Sequence, residues 1–195
     1  EAYATSTATA AAYADKWGLS APVKTRALAP NGTIGIVAET TTGIEPIFCA
    51  AYRRRYFDRG VWRAQYVLDP AAKRLVAEGI SPDAIEDAYI LAADVERRVT
   101  FQAWVQKYVD HAISSTINLP AWGSDLNNQD KVKDFGDMLM RYLPQLRGLT
   151  CYPDGARGGQ PLERVDFREA LEREGEVVTE QADVCDLRAG GSCGS

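Results

Sequence analysis

The chain has 195 residues, 46% hydrophobic and 25% charged, enough for one domain with its own core and not the composition of a disordered chain. Its net charge of -5 with interspersed signs gives no basic face, so nucleic acid is not expected as its main partner. No apolar run approaches the ~20 residues of a membrane span, so no membrane association is expected either.

The alanine-rich opening lacks the basic start and dense apolar stretch of an export signal. Helix suits it better, because Ala is the best helix former, Tyr3, Ala10, Tyr13 and Trp17 fall near one face, and Gly18 can end it. A first residue of Glu rather than Met suits a piece of a longer protein. Pro22 to Leu28 reads as a short strand and Ala29-Pro30-Asn31-Gly32-Thr33 as a turn. Ile34 to Ala38 fits either a buried helix or a strand. Asp69-Pro70 starts a helix that Gly79 closes, and Ser81-Pro82 repeats the start signal.

The spacing of Phe101, Val105, Tyr108 and Ala112 predicts a long helix over about Asp94 to Val109. Ser115 to Leu119 reads as a buried strand ended by Pro120. Val132, Phe135, Leu139 and Tyr142 mark a second amphipathic helix, stopped by Pro144. Gly148 to Tyr152 is a further strand, turned by Asp154-Gly155. Strands alternating with helices imply an α/β arrangement. Beyond residue 157 the composition changes to a glycine-rich hinge, a charge-dominated stretch from Arg164 to Glu180, and a glycine- and serine-rich end expected to be mobile. The chain thus divides into a domain at 1–157 and a charged linker with a flexible tail at 158–195.

Chemistry-bearing residues are few. Four cysteines, Cys49, Cys151, Cys185 and Cys193, are too sparse for a disulfide scaffold, and nothing indicates secretion, so a reducing cytoplasm is expected. With His111 the only histidine, zinc or Ser-His-Asp chemistry within the chain has poor support, and no metal site is expected. Cys49 and Cys151 lie in apolar segments and read as buried packing. His111 is expected to favour the carbonyl end of the long helix, and Arg53-Arg54-Arg55 to form a solvated face. The strand, glycine turn and helix start around Thr33 make an anion cradle, since free backbone N–H groups and the Thr33 hydroxyl point one way. Many ordinary connecting loops share that pattern, so both readings stay open on these grounds.

Ala29-Pro30-Asn31-Gly32-Thr33-Ile34 resembles the APTGTI loop of class II, adenosylcobalamin-dependent ribonucleotide reductases. Gly43-Ile44-Glu45-Pro46-Ile47-Phe48 is similar to their GIEPIF segment, and Ala51-Tyr52-Arg53-Arg54 to the AYRR that follows. The run from Val109 to Pro120 resembles VDxAxSKTINLP, with Ser115 in place of the Lys, and Leu149 to Arg157 resembles LTVYRDGSR, with Pro153 in place of an Arg. These segments come in family order over roughly Ala21 to Arg157.

The resemblance implies the C-terminal portion of the ten-stranded reductase α/β barrel over 1–157, followed by a flexible redox tail. It implies that Pro30, Asn31, Gly32, Thr33 and Ile34 grip substrate phosphates, with Asn31 standing where the family has Thr. Glu45-Pro46 and Asn118-Leu119-Pro120 would pack and turn around that site. It also implies that Cys185 and Cys193, separated by a Gly-Gly-Ser-containing segment, re-reduce the active site after turnover. The NxCxE motif that carries the family's thiyl radical does not occur in this chain. A larger reductase polypeptide carrying it is therefore the expected partner, with adenosylcobalamin held mainly there, a ribonucleotide as substrate, and a thioredoxin-like protein as reductant. The chain alone is expected to be inactive. Two alternatives are a fragment of an oxygen-dependent (class I) reductase, and a non-catalytic phosphate- or partner-binding module on the same scaffold. The first needs adjacent tyrosines where this chain has Cys151-Tyr152.

Overall fold

The computed structural model describes residues 2–156 and 162–180. Three segments lie side by side as parallel strands. Leu28 forms an isolated parallel bridge with Ile113, reinforced by the Leu28 amide donating to the Ala112 carbonyl and the Ser114 amide donating to the Leu28 carbonyl. Further along, β3 (Thr116–Leu119) pairs in parallel with β4 (Thr150–Pro153), Ile117 opposite Cys151 and Asn118 opposite Tyr152. The strand expected over Pro22 to Leu28 is thus reduced to its last residues. Pro22 has no N–H to donate, and Asp110 takes the Thr25 and Arg26 amides that a ladder would otherwise use.

Helices cover one face of these strands. α5 (Val95–Gln106) is capped by Asp94, whose carboxylate accepts from the Arg97 amide, and α6 (Val132–Tyr142) ends just before Pro144. Val99, Ile117 and Met138 are buried together, with Phe135, Leu139, Leu149 and Cys151 packed around them. The expected period of α5 is right but its phase is rotated. Phe101, Trp104 and Tyr108 are exposed, while Arg98, Val99, Gln102, Ala103 and Gln106 face inward. The helix also stops at Gln106, short of Val109.

A second body of structure has no counterpart in the sequence reading. β1 (Ala51–Asp58) and β2 (Val61–Leu68) form an antiparallel hairpin around a two-residue turn, Arg59-Gly60, with φ of 49° and 85°. Positive φ at both central residues matches the right-handed twist of the flanking strands. The hairpin is flanked by β5 (Leu162–Arg164) beside β1 and β6 (Val177–Glu180) beside β2. Between them α7 (Phe167–Glu172), capped by Asp166, packs Ala170 onto Ala51, Tyr66 and Leu68. The stretch given only a linking role is, over 162–180, built into this sheet. The boundary at 157/158 falls outside the described residues.

The arginine run also departs from a solvated face. Arg54 is exposed, but Arg53 pairs with Glu163 across the β1–β5 ladder and Arg55 stacks over the Trp62 ring.

The remaining helices are α1 (Ala2–Lys16), α2 (Gly32–Val37), α3 (Pro70–Ala77) and α4 (Ala88–Leu91). Asp69 caps α3 as expected, while Ser81-Pro82 opens a single 3-10 turn only. Of α1, only Ala14 is buried.

Candidate functional site

In parallel α/β sheets the strand carboxyl ends carry the loops that bind ligands, because the helices occupy the faces. Three such ends occur here: those of β3 and β4 lie side by side, and the one at Leu28 lies level with Ile113, before β3 begins. The first leads from Leu28 into Ala29–Ile34, the second from Leu119 into Pro120, and the third from Pro153 into Asp154-Gly155. The Asp154 amide donates to the Leu119 carbonyl at 2.9 Å, tying the second and third ends together. Cross-strand partners share a face, so Ile117 and Cys151 turn toward the helices while Thr116, Asn118, Thr150 and Tyr152 line the opposite face. Those four polar or amphipathic side chains are half-buried or exposed, and only their period-2 alternation could have pointed to them in the sequence.

The loop ends in α2, so Ile34 to Val37 is helical rather than a strand, but the helix is not buried, since Ile34 and Val37 are exposed. The Gly35 amide donates to the Asn31 carbonyl at 2.7 Å and the Ala38 amide to the Ile34 carbonyl at 2.8 Å. The first amides of this turn, from Gly32 onward, have no partner within the helix. Pro30, Asn31 and Ile34 are exposed. The loop residues Pro30, Asn31, Gly32, Thr33 and Ile34 are therefore adjacent at one strand end. Cys185 and Cys193 lie outside the described residues.

A strap from Gly43 to Glu45 presses on the loop's entry. Gly43 has φ of 57°, and a Cβ there would lie 3.2 Å from the Ala29 carbonyl oxygen, so glycine is required on both counts. Glu45 Oε1 accepts from the Thr116 amide at 2.7 Å, joining the strap to the start of β3. This gives Glu45 the packing role expected of it.

Asp110 joins the first two parallel segments. Its carboxylate accepts from the Thr25 and Arg26 amides at 3.1 and 2.8 Å and from the Arg26 guanidinium at 3.0 and 3.3 Å. Desolvation alone would raise its pKa, but these donors and the Arg26 charge outweigh it and hold the carboxyl at about 2.

Cys49 is fully buried, and burial, followed by the nearby Asp87 carboxylate, pushes its thiol up to about 12. A thiol so placed is not a nucleophile. Cys151 is half-buried rather than buried, and burial raises its pKa too. His111 does not sit at a helix end, since α5 stops five residues earlier; its Nδ1 accepts from the Ala112 amide.

Among the described residues no cluster of His, Cys, Asp or Glu could hold a metal ion, and no helix is long and apolar enough to cross a membrane. Open hollows among the described residues include two with different linings. One of about 430 Å³ lies between the strap and α5, and one of about 650 Å³ lies against α1, lined by Ala10, Tyr13, Leu19 and Pro22.

Parallel strands with helices packed on one face are the arrangement of an α/β fold. The chain belongs to the ribonucleotide reductase family, matching its barrel domain over residues 23–144. It is 31% identical over 155 residues to a vitamin B12-dependent ribonucleoside-diphosphate reductase of Mycobacterium tuberculosis, covering 69% of this chain and 21% of that one. A protein of the same description from Thermoplasma acidophilum is 24% identical over 157 residues, covering 71% of this chain and 20% of that one. The crystal structure of a B12-dependent (class II) ribonucleotide reductase superposes with a TM-score of 0.59 at 15% identity, over 88% of this chain and 25% of that one. That likeness bears on fold. The chain thus spans about a fifth of the length of the curated relatives it matches.

Proposed function

We propose that this chain is the substrate-phosphate-binding portion of a ribonucleotide reductase whose radical cysteine lies on a separate, larger polypeptide. The observation that carries the reading is the parallel Leu28–Ile113 pairing, which sets the Pro30–Ile34 loop at the carboxyl end of the first parallel segment, beside the start of β3. Amides at the start of a helix such as α2 lack partners within the helix and suit a phosphate, and their backbone origin makes the grip indifferent to the base. The reaction replaces the ribose 2′ C–OH by C–H and releases water. The two electrons come from a cysteine pair that closes to a disulfide, which Cys185 and Cys193 then reopen by exchange. A thioredoxin-like dithiol in turn reduces that tail pair.

The relatives are vitamin B12-dependent reductases, and that cofactor would supply radical generation. Adenosylcobalamin is assigned mainly to the partner polypeptide.

The test is reconstitution of this chain with a larger polypeptide carrying NxCxE, adenosylcobalamin and a dithiol, with deoxyribonucleotide formation as the readout. Turnover is expected from the mixture and from neither chain alone. Thr33→Ala should raise KM by roughly tenfold, the loss of one hydrogen bond to a charged group. Cys185→Ser or Cys193→Ser should abolish turnover with a protein dithiol but not with a small one. No turnover in any mixture would leave the non-catalytic module as the better account.

A further inference from the structure

The strap at the loop's entry is held by a residue that no motif singles out. Arg98, on α5, is only 7% exposed, although arginine is among the residues least often buried. Its Nη1 donates to the Ile44 carbonyl at 3.4 Å and its Nη2 to the Ser115 hydroxyl at 3.3 Å. Ser115 is itself 3% exposed and immediately precedes β3. Ile44 lies between Gly43, where a Cβ would meet the Ala29–Pro30 backbone, and Glu45, which accepts from the Thr116 amide. One guanidinium thus spans the strap that bears on the loop and the strand beside it. Burial lowers the Arg98 pKa, and the Glu45 carboxylate offsets part of that, so the side chain stays charged.

We infer that Arg98 is a positioning residue for the Pro30–Ile34 loop: it locks the Gly43–Glu45 strap to the start of β3, and the strap sets where the loop begins. The consequence for phosphate binding rests on the function proposed above; the positioning itself does not. Because the guanidinium fills the space beside Ser115, a lysine there, as in the related motif, would bring a second buried cation against it. Arg98 and a lysine at 115 should therefore be mutually exclusive, each tolerated best without the other.

The experiment is amide hydrogen exchange on the full 195-residue chain, comparing wild type with Arg98→Met, Arg98→Lys, Ser115→Lys and the Arg98→Met/Ser115→Lys double variant. Two amides report on the site: Gly35, which donates to the Asn31 carbonyl, and Thr116, which donates to Glu45. The Tyr66 amide, bonded to the Glu176 carbonyl in the antiparallel sheet, is the control for global destabilisation. Arg98→Met should speed Gly35 and Thr116 exchange about tenfold relative to Tyr66, and Arg98→Lys should recover most of that protection. Ser115→Lys should lose protection in the Arg98 background and regain it in the double variant. Unchanged Gly35 exchange in Arg98→Met, or effects of the two substitutions that simply add, would overturn the inference.

Titration of the same proteins with inorganic pyrophosphate, followed by phosphorus NMR, separates the two ideas. Weaker binding by Arg98→Met, restored in Arg98→Lys, supports positioning of a phosphate loop. A wild-type chain that binds no pyrophosphate counts against the loop's proposed function, while the exchange data still decide the role of Arg98.

Discussion

Asp110 shows how a single carboxylate can hold two strands together where their ladder is minimal. Its folded pKa, about 2, lies below the ordinary 3.8, so the group stabilises the folded chain above about pH 4. That contribution is lost as pH falls from 3.8 toward 2, because the proton binds the unfolded chain more readily over that window. Asp110→Asn should therefore lower the thermal midpoint at pH 7 and flatten its decline between pH 4 and pH 2. An acid profile parallel to that of the wild type would show that the carboxylate is not the titrating group. Nothing in the sequence announces this contact, which links positions 84 and 85 apart. The local caps are a different matter. Asp69 accepts from Ala71 and Ala72 two and three residues on, so its role was legible from its immediate neighbours.

At the scale of elements, the antiparallel sheet was missed because its strongest signal was disguised. The hairpin turn is Arg59-Gly60 rather than Asn-Gly or Asp-Gly, and an arginine at φ of 49° carries strain that asparagine tolerates better. Arg59 is nearly fully exposed and its ion pair with Asp58 is long, at 3.9 Å, so little is lost by replacing it. Arg59→Asn should stabilise the chain by about 0.5–1 kcal/mol in urea unfolding with an unchanged m-value. Alternation along β1 was masked in the same way. Arg53 and Arg55 occupy the face shared with Ala51 and the core, where Glu163 and the Trp62 ring receive them. The charged stretch after residue 161 hid its buried inward residue, Ala170, behind five charges within 163–169. Ala170→Asp would bury an unpaired charge against Tyr66 and Leu68, at a cost on the order of 3 kcal/mol. Exchange at Tyr66 should rise far more than at Thr116, because the sheet and the parallel strands have separate cores. Equal acceleration at both would mean the chain unfolds as one unit.

For the whole molecule, the informative surprise is the rotation of α5. Its glutamines face inward because the connections between parallel strands leave carbonyls and amides that must be satisfied. Gln102 donates to the Gly148 carbonyl, and Gln106 donates to the Val109 and His111 carbonyls while accepting from the Arg147 amide. Periodicity reveals a helix, but it assigns glutamine to solvent, and only the tertiary arrangement shows what the buried amides are for. The outcome leaves Phe101, Trp104 and Tyr108 outward as a contacting ladder, with ring centroids 6.0 and 5.6 Å apart. Contiguous exposed aromatic surface drives association, and in this chain the opposing influence is its net charge of -5. The isolated chain should therefore show a sedimentation mass that rises with concentration, and rises further as pH is lowered toward the sequence isoelectric point near 5.0. Phe101→Ser with Trp104→Ser should return the mass toward that of a monomer and leave the acid unfolding profile set by Asp110 in place. Persistence of the assemblies in that variant would move the cause from the α5 ladder to other exposed apolar positions, of which Tyr13 on α1 and Trp17 just after it come first.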